Sequence, residues 1–236
     1  MSDQHIATVF DRDLEGIQAR IMKMGGLVEA AIMASARSLE ERDEEMAEQV
    51  RAGDAAIDGL EDMINEEAAR LIALRAPTAV DLRLVLTVMK IAGNLERIGD
   101  YAKNIAKRTG VLAQMRPVNS STAALRRMAR EVELMLKDAL DAYIQRDVEL
   151  AQDVIERDHE VDQMYNALFR EFLTFMMEDP RNITACMHLH FIAKNIERMG
   201  DHVTGIAEQV VYLVTGERME EARTKADDTS VSVLED

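Results

Sequence analysis

The chain has 236 residues, 47% hydrophobic and 31% charged, and carries a formal net charge of −16. That length supports a substantial core or two small ones, and the charge excludes broad electrostatic binding of nucleic acid. A single cysteine, Cys186, excludes an intrachain disulfide; it fits a reducing compartment and reads as a small core residue.

Only 11 Gly and 3 Pro punctuate a sequence rich in Ala, Leu, Met, Glu and Arg. These are strong helix formers, so the fold class is all-α. In chain order, Phe10, Leu14, Ile17, Ile21, Met24, Val28 and Ala31 alternate in steps of four and three, one stripe of a long amphipathic helix ending near Glu41-Arg42. Within it, Gly25-Gly26 marks either a close approach by another helix or a bend. Asp43 is the expected N-cap of a short helix through Val50. Arg51-Ala-Gly-Asp54 reads as a kink or cap before a second long helix to about Arg75, with Ile57, Leu60, Ile64, Ala68 and Leu71 inward. Pro77 breaks it, and Thr78 with Asp81 resembles a capping box. The third helix runs to about Thr109 on the stripe Leu84, Val88, Ile91, Leu95, Ile98, Ala102 and Ile105.

Gly110 to Thr122 is the one convincing internal linker. The fourth helix follows on Leu125, Met128, Val132, Met135, Ala139 and Ala142. A fifth spans roughly 147–177 with a kink expected before Asp158, Asp179-Pro180 turns the chain, and a sixth runs to about Thr215 on Ile192, Ile196, Met199, Val203, Ile206 and Val210. The sixteen Met at helical spacing read as core filling. No apolar run reaches the ~18 residues of a membrane span. The sequence after Met1 does not resemble a signal peptide, so a cytoplasmic location is expected.

The order helix–helix–helix occurs twice because the sequence is duplicated. Ile91-Ala-Gly-Asn-Leu-Glu-Arg-Ile-Gly-Asp100 returns as Ile192-Ala-Lys-Asn-Ile-Glu-Arg-Met-Gly-Asp201, with nine of eighteen residues identical between 91–108 and 192–209. The expected architecture is a tandem repeat of two antiparallel three-helix bundles. Residues 1–112 and 113–216 are the expected domains, with a polar, disordered tail over 217–236.

Each motif sets two carboxylates four residues apart, Glu96 with Asp100 and Glu197 with Asp201, one turn apart on one helix face. The preceding helix of each half carries another such pair, Asp54 with Asp58 and Asp158 with Asp162. Residue 77 is midway both between Asp54 and Asp100 and between Asp58 and Glu96. In the second half the corresponding midpoint falls between Asp179 and Pro180, again at the turn. Antiparallel hairpins folded there bring four carboxylates to one level, and neighbouring axes about 8–10 Å apart leave a small patch for eight oxygens. A hard, oxygen-seeking cation such as Mg²⁺, Mn²⁺, Ca²⁺ or iron relieves their repulsion. Gly99 and Gly200 are expected to keep the approach open, with Arg97 and Arg198 anchoring carboxylates or a partner and Asn94 and Asn195 supporting from behind. The plainer reading is that Asp54 and Asp158 are caps and that Glu96 and Glu197 form surface ion pairs.

Asn-x-Glu-Arg-x-Gly-Asp in both halves, with Asp-x-x-Ile-Asp58 and Asp-x-x-Val-Asp162, resembles the PhoU family of phosphate-signalling proteins over roughly residues 5 to 216. The resemblance implies two three-helix bundles whose acidic motifs hold divalent or multinuclear metal ions (Mg or Mn, iron or zinc) on Asp54, Asp58, Glu96, Asp100, Asp158, Asp162, Glu197 and Asp201. It also implies a regulator rather than an enzyme, restraining the phosphate-starvation response and phosphate uptake. The implied partners are the phosphate-sensor histidine kinase and the ATPase subunit of the phosphate ABC transporter. A homodimer, peripheral to the membrane only through its partners, completes what the family implies. Tyr165 in place of Glu61, and Gly205 in place of Asn104, are the departures between the halves. Two rival classes remain. A di-iron carboxylate oxidoreductase of the ferritin type would use Glu156-x-x-His159, although Ala52 and Ala55 stand at the equivalent positions. The other is a metal-free helical scaffold.

Overall fold

The computed structural model describes residues 2–118 and 121–218, with side chains from Phe10 onward except that of Asp11. Nearly all of the expected tail lies outside the described residues, as do Asn119 and Ser120 of the linker. Six α-helices carry the chain: α1 (Ser2–Glu41), α2 (Glu44–Arg75), α3 (Ala79–Ala113), α4 (Ser121–Gln145), α5 (Val148–Glu178) and α6 (Ile183–Thr215). A 3-10 turn over Pro180–Asn182 precedes α6. The architecture is the tandem repeat of antiparallel three-helix bundles that the duplicated sequence implies.

The first turn of each half has the same construction. Arg42 and Arg146 take positive φ angles of 57° and 58°. The following aspartate then caps the next helix: Asp43 accepts from the Met46 amide at 2.9 Å, and Asp147 from the Leu150 amide at 3.0 Å. Such caps are each worth about 1 kcal/mol. The Arg42 guanidinium also donates to the Leu112 and Met115 carbonyls, closing the C-terminus of α3. Thr78 does not complete a capping box. Its hydroxyl donates to Asp81 Oδ2 at 2.7 Å, and its side chain makes no bond to an amide of the first turn.

The expected break between a short helix and the second long helix is absent. α2 runs unbroken through Arg51–Asp54, and α5 runs unbroken through Asp158. A single glycine costs a helix only about 1 kcal/mol, and Gly53 sits in open space while Val50, Ile57 and Leu60 hold the helix to its neighbours. For the same reason α3 passes through Gly110 to Ala113, shortening the linker.

Among the described residues, α2 packs only on α1 and α3, and α5 only on α4, α6 and the 3-10 turn. The halves join through α3 against α6 and α1 against α4, so one hydrophobic cluster runs through both. Serving three neighbours, α3 buries more than its expected stripe: Val85, Ala92 and Ala106 join Val88, Leu95 and Ala102. The methionines are divided. Met24, Met128, Met135 and Met199 are buried, whereas Met22, Met63, Met177 and Met187 are exposed, so core filling accounts for only part of them.

Gly25 settles the alternative posed by Gly25-Gly26. A Cβ built on it would lie 2.3 Å from Leu140 Cδ1 of α4, whereas one on Gly26 would meet nothing within 4 Å. Helix α1 continues through both, and Gly25 marks a close approach. Gly26→Ala is expected to stabilise the protein by about 0.5–1 kcal/mol by removing backbone freedom from the unfolded chain. Gly25→Ala, which must displace a buried leucine, is expected to destabilise it by about 1–3 kcal/mol. Chemical denaturation of the two variants measures the contrast.

Candidate metal sites

The matched registers are visible at two glycines. A Cβ built on Gly99 of α3 would lie 3.1 Å from Ile57 Cδ1 and 3.6 Å from Asp54 Oδ1 of α2. One on Gly200 of α6 would lie 2.8 Å from Asp158 Oδ1 and 3.4 Å from Val161 Cγ1 of α5. Each motif glycine therefore faces the first aspartate of the preceding helix, at the level set by a turn midway between them. Its missing side chain lets that aspartate into the helix–helix interface.

In the first half, Asp54 is only 3% exposed. Its Oδ2 accepts a hydrogen bond from the Lys103 ammonium, and its buried Oδ1 has no hydrogen-bond partner among the described residues. Lys103 Nζ also lies 3.9 Å from Asp100 Oδ1. Asp58 is exposed on the rim. Partial desolvation pushes its carboxyl above the usual range, and Asp54 adds to the push; Lys103 pulls it down, while Asp100 and Asp62 raise it again. Glu96 is driven up to about 7, first by burial and then by Asp100, with a hydrogen bond to Asp100 and the charge of Glu61 adding to it and Arg97 opposing. Arg97, largely exposed, lies 3.5 Å from Glu96 and 3.7 Å from Asp100. It thus anchors the carboxylates of its own motif.

The second half is drier. Asp158, Asp162 and Glu197 are 3%, 4% and 1% exposed, and Asp201 is half-buried. Its lysine comes from elsewhere. Thr204 stands where the first half has Lys103, and its hydroxyl donates to the Asp201 carbonyl at 2.7 Å. Lys194, which has Gly93 as its counterpart, lies 3.0 Å from Glu197 and 4.8 Å from the centre of the Tyr165 ring. Tyr165 replaces Glu61, so this departure exchanges a repelling carboxylate for an aromatic face that receives the ammonium. In each half a lysine thus lies against a carboxylate of the level, supplied from opposite ends of the motif.

Among the described residues no three Asp, Glu, His or Cys side chains are gathered as a ready-made ligand set. In the first half Asp58 feels the charges of Asp54 and Asp100, and Glu96 is hydrogen-bonded to Asp100, so the four carboxylates are neighbours across α2 and α3. The donors nevertheless fit a hard cation. All are carboxylates, and Asp54 Oδ1 is a buried acceptor that the protein itself leaves unfilled.

Asn94 does not stand behind the carboxylates. Its Oδ1 accepts from His202 Nδ1 at 2.9 Å across the α3–α6 seam, where Gly205 makes room for it, and its Nδ2 donates to the Lys90 carbonyl. His202 is an interface residue, its ring 5.7 Å from that of Tyr101. Tyr101 and His202 are the same position of the repeat, so the halves meet about a pseudo-twofold axis beside the two acidic levels. Farther along the seam, Arg108 donates to His188 and lies 4.6 Å from the centre of the Phe191 ring. Glu156 and His159 are exposed, and His159 bonds Gln163, so this pair does not enter the bundle core. Lys103, absent from the expected site, was signalled by its spacing: three residues after Asp100, on the same helix face.

With this geometry in place, the model of the PhoU domain matches the chain twice, over residues 21–109 and 125–210. A phosphate-specific transport system accessory protein PhoU homolog of Caulobacter vibrioides is 45% identical over 95% of this chain and 97% of its own. That of Zymomonas mobilis is 47% identical over 97% and 95%. Among solved structures, PhoU from Pseudomonas aeruginosa superimposes with a TM-score of 0.85 at 38% identity, covering 88% of this chain and 100% of that one. The phosphate transport system regulatory protein PhoU from Streptococcus pneumoniae gives 0.83 at 31% identity, covering 89% and 99%.

The raised Glu96 carboxyl has a definite sign in stability. Between about 4.5 and 7 the folded state binds more protons at this group than the unfolded chain, so stability falls as pH rises through that window, and the penalty is complete above it. Glu96→Gln removes the penalty. In metal-free buffer at pH 8 it is expected to be more stable than the parent by on the order of 1–2 kcal/mol, allowing for solvent screening at a partly exposed group. At pH 4 no gain is expected. Urea denaturation at the two pH values measures both.

Proposed function

The chain belongs to the PhoU family, and from that membership we propose that it is an accessory protein of phosphate uptake which restrains the phosphate-starvation response when phosphate is plentiful. The observation that carries this reading is identity of 45–47% over nearly the whole length of relatives named for the phosphate-specific transport system. In this reading it is not an enzyme. It works in the cytoplasm as a homodimer by contact with the phosphate-sensor histidine kinase and the ATPase subunit of the phosphate ABC transporter. Among the described residues no helix is long and apolar enough to cross a membrane. Each repeat, residues 1–112 and 113–216, acts as one unit.

Asp54, Asp58, Glu96 and Asp100 are the proposed ligands in the first half, and Asp158, Asp162, Glu197 and Asp201 in the second. A bound divalent or multinuclear metal (Mg or Mn, iron or zinc) supplies positive charge that neutralises a level and links its second and third helices. Asp54 and Asp158 anchor the inner end of each level, buried opposite their glycines. Glu96 must release the proton it holds near neutral pH, and Lys103 must leave Asp54. Arg97 and Arg198 then remain on the outer face, where a protein partner can reach them.

Two measurements test this reading. Deleting the gene in its host is expected to switch on a phosphate-starvation reporter at high phosphate, and the intact chain is expected to restore repression. An unchanged reporter contradicts the assignment. In calorimetry, Mn²⁺ is expected to bind saturably with proton release at pH 7. Asp100→Ala with Asp201→Ala is expected to weaken binding by at least tenfold; absence of saturable binding favours the metal-free scaffold.

A further inference from the structure

Away from the acidic levels, a cavity of about 360 Å³ opens between the start of α1 and the end of α2. Arg12, Arg20, Arg70 and Arg75 line it together with Asp13 and Glu67, over an apolar floor that includes Ile17 and Leu71, themselves 2% and 3% exposed. Four guanidinium groups face two carboxylates, an excess of positive charge in a chain whose net charge is −16. The carboxylates occupy only part of the donor set. Glu67 lies 2.9 Å from Arg20, and Asp13 only 3.4 Å from Arg75. Arg75 Nε is buried with no hydrogen-bond partner among the described residues, and Arg12 and Arg70 have no carboxylate partner among them.

We propose that this cavity is a binding site for a small phosphate-bearing anion, such as orthophosphate or a short polyphosphate, held by Arg12, Arg70 and Arg75. Guanidinium forks match phosphate oxygens in pairs, and the surplus of two positive charges suits a dianion or oligoanion. The cavity lies at the lower end of the range for small-molecule sites. The apolar floor lowers the local dielectric and strengthens the pairing. Repulsion from the acidic levels is weak here. Asp58 and Arg70 are twelve residues apart on α2, roughly 18 Å, about twice the screening length at physiological salt. The site extends the proposed regulatory role by giving the protein a direct contact with the anion whose supply it would report. It does not depend on that role or on metal binding.

Calorimetry of the full chain in EDTA-containing buffer at about 0.15 M salt tests it, because no metal can then bridge phosphate to the acidic levels. Orthophosphate, tripolyphosphate and citrate are the probes. One saturable event per chain is expected for at least one of the phosphate compounds, with citrate at least tenfold weaker. Arg12→Gln with Arg70→Gln, both exposed positions, is expected to weaken the phosphate compound at least tenfold while leaving the melting temperature within a few degrees. Glu67→Gln frees Arg20 and is expected to tighten binding several-fold. Arg126→Gln with Arg127→Gln on α4 should leave affinity unchanged. Absence of saturable binding by both phosphate compounds, equal binding by the Arg12/Arg70 variant, or citrate binding as tightly would each overturn the proposal.

Discussion

A carboxylate buried between two helices opposite a glycine is the constraint on which this structure turns. Asp54 and Asp158 are each 3% exposed and lie against Gly99 and Gly200. A buried carboxylate left alone costs several kcal/mol, so the surroundings must supply counter-charge or a proton. The first half does so with Lys103, and with a Glu96 carboxyl that holds its proton up to about neutral pH. The second half places Lys194 beside Glu197. The register of α2 on α3 and of α5 on α6 is what brings these groups together. A one-residue slip would drive Asp158 against a side chain where none now stands.

Duplication explains the arrangement of the halves as well as their likeness. Tyr101 meets His202, its own counterpart, and Asn94 reaches the space left at Gly205. The helices that carry the acidic motifs thus use a second face to join the halves, leaving α2 and α5 on the outer flanks. The acidic motifs and the seam share α3 and α6, beside one continuous core. Divergence then acted around this axis: Lys103 against Thr204, Gly93 against Lys194, Glu61 against Tyr165. The two levels differ in hydration and in the direction from which their ammonium arrives, which gives the protein two related but unequal acidic centres.

The helices and their register were legible because two simple signals coincide. Apolar spacing marks the buried stripes, and the midpoints of the acidic pairs fall at Pro77 and between Asp179 and Pro180. Properties arising from three or more neighbours were not legible. Helix α2 continues through Gly53 because tertiary packing outweighs a single weak residue. The broad buried arc of α3 follows from a contact with α6 that one helical stripe does not announce. Asn94 belongs to a repeated motif that suggested an acidic-site role, yet it faces the seam, since residues two positions apart project from different sides of a helix. Lys103 lies outside the repeated motif, and only its spacing of three from Asp100 places it on the same face. The arginine cavity is formed by residues some sixty positions apart and has no local pattern.

Anomalous diffraction from crystals loaded with Mn²⁺ examines the arrangement most directly. One centre of anomalous density is expected between α2 and α3, flanked by carboxylates of Asp54, Asp58, Glu96 and Asp100, with the Lys103 ammonium moved off Asp54. A second is predicted between α5 and α6 at the equivalent level. Density confined to other parts of the surface, with Lys103 still bonded to Asp54 in the loaded protein, would contradict it.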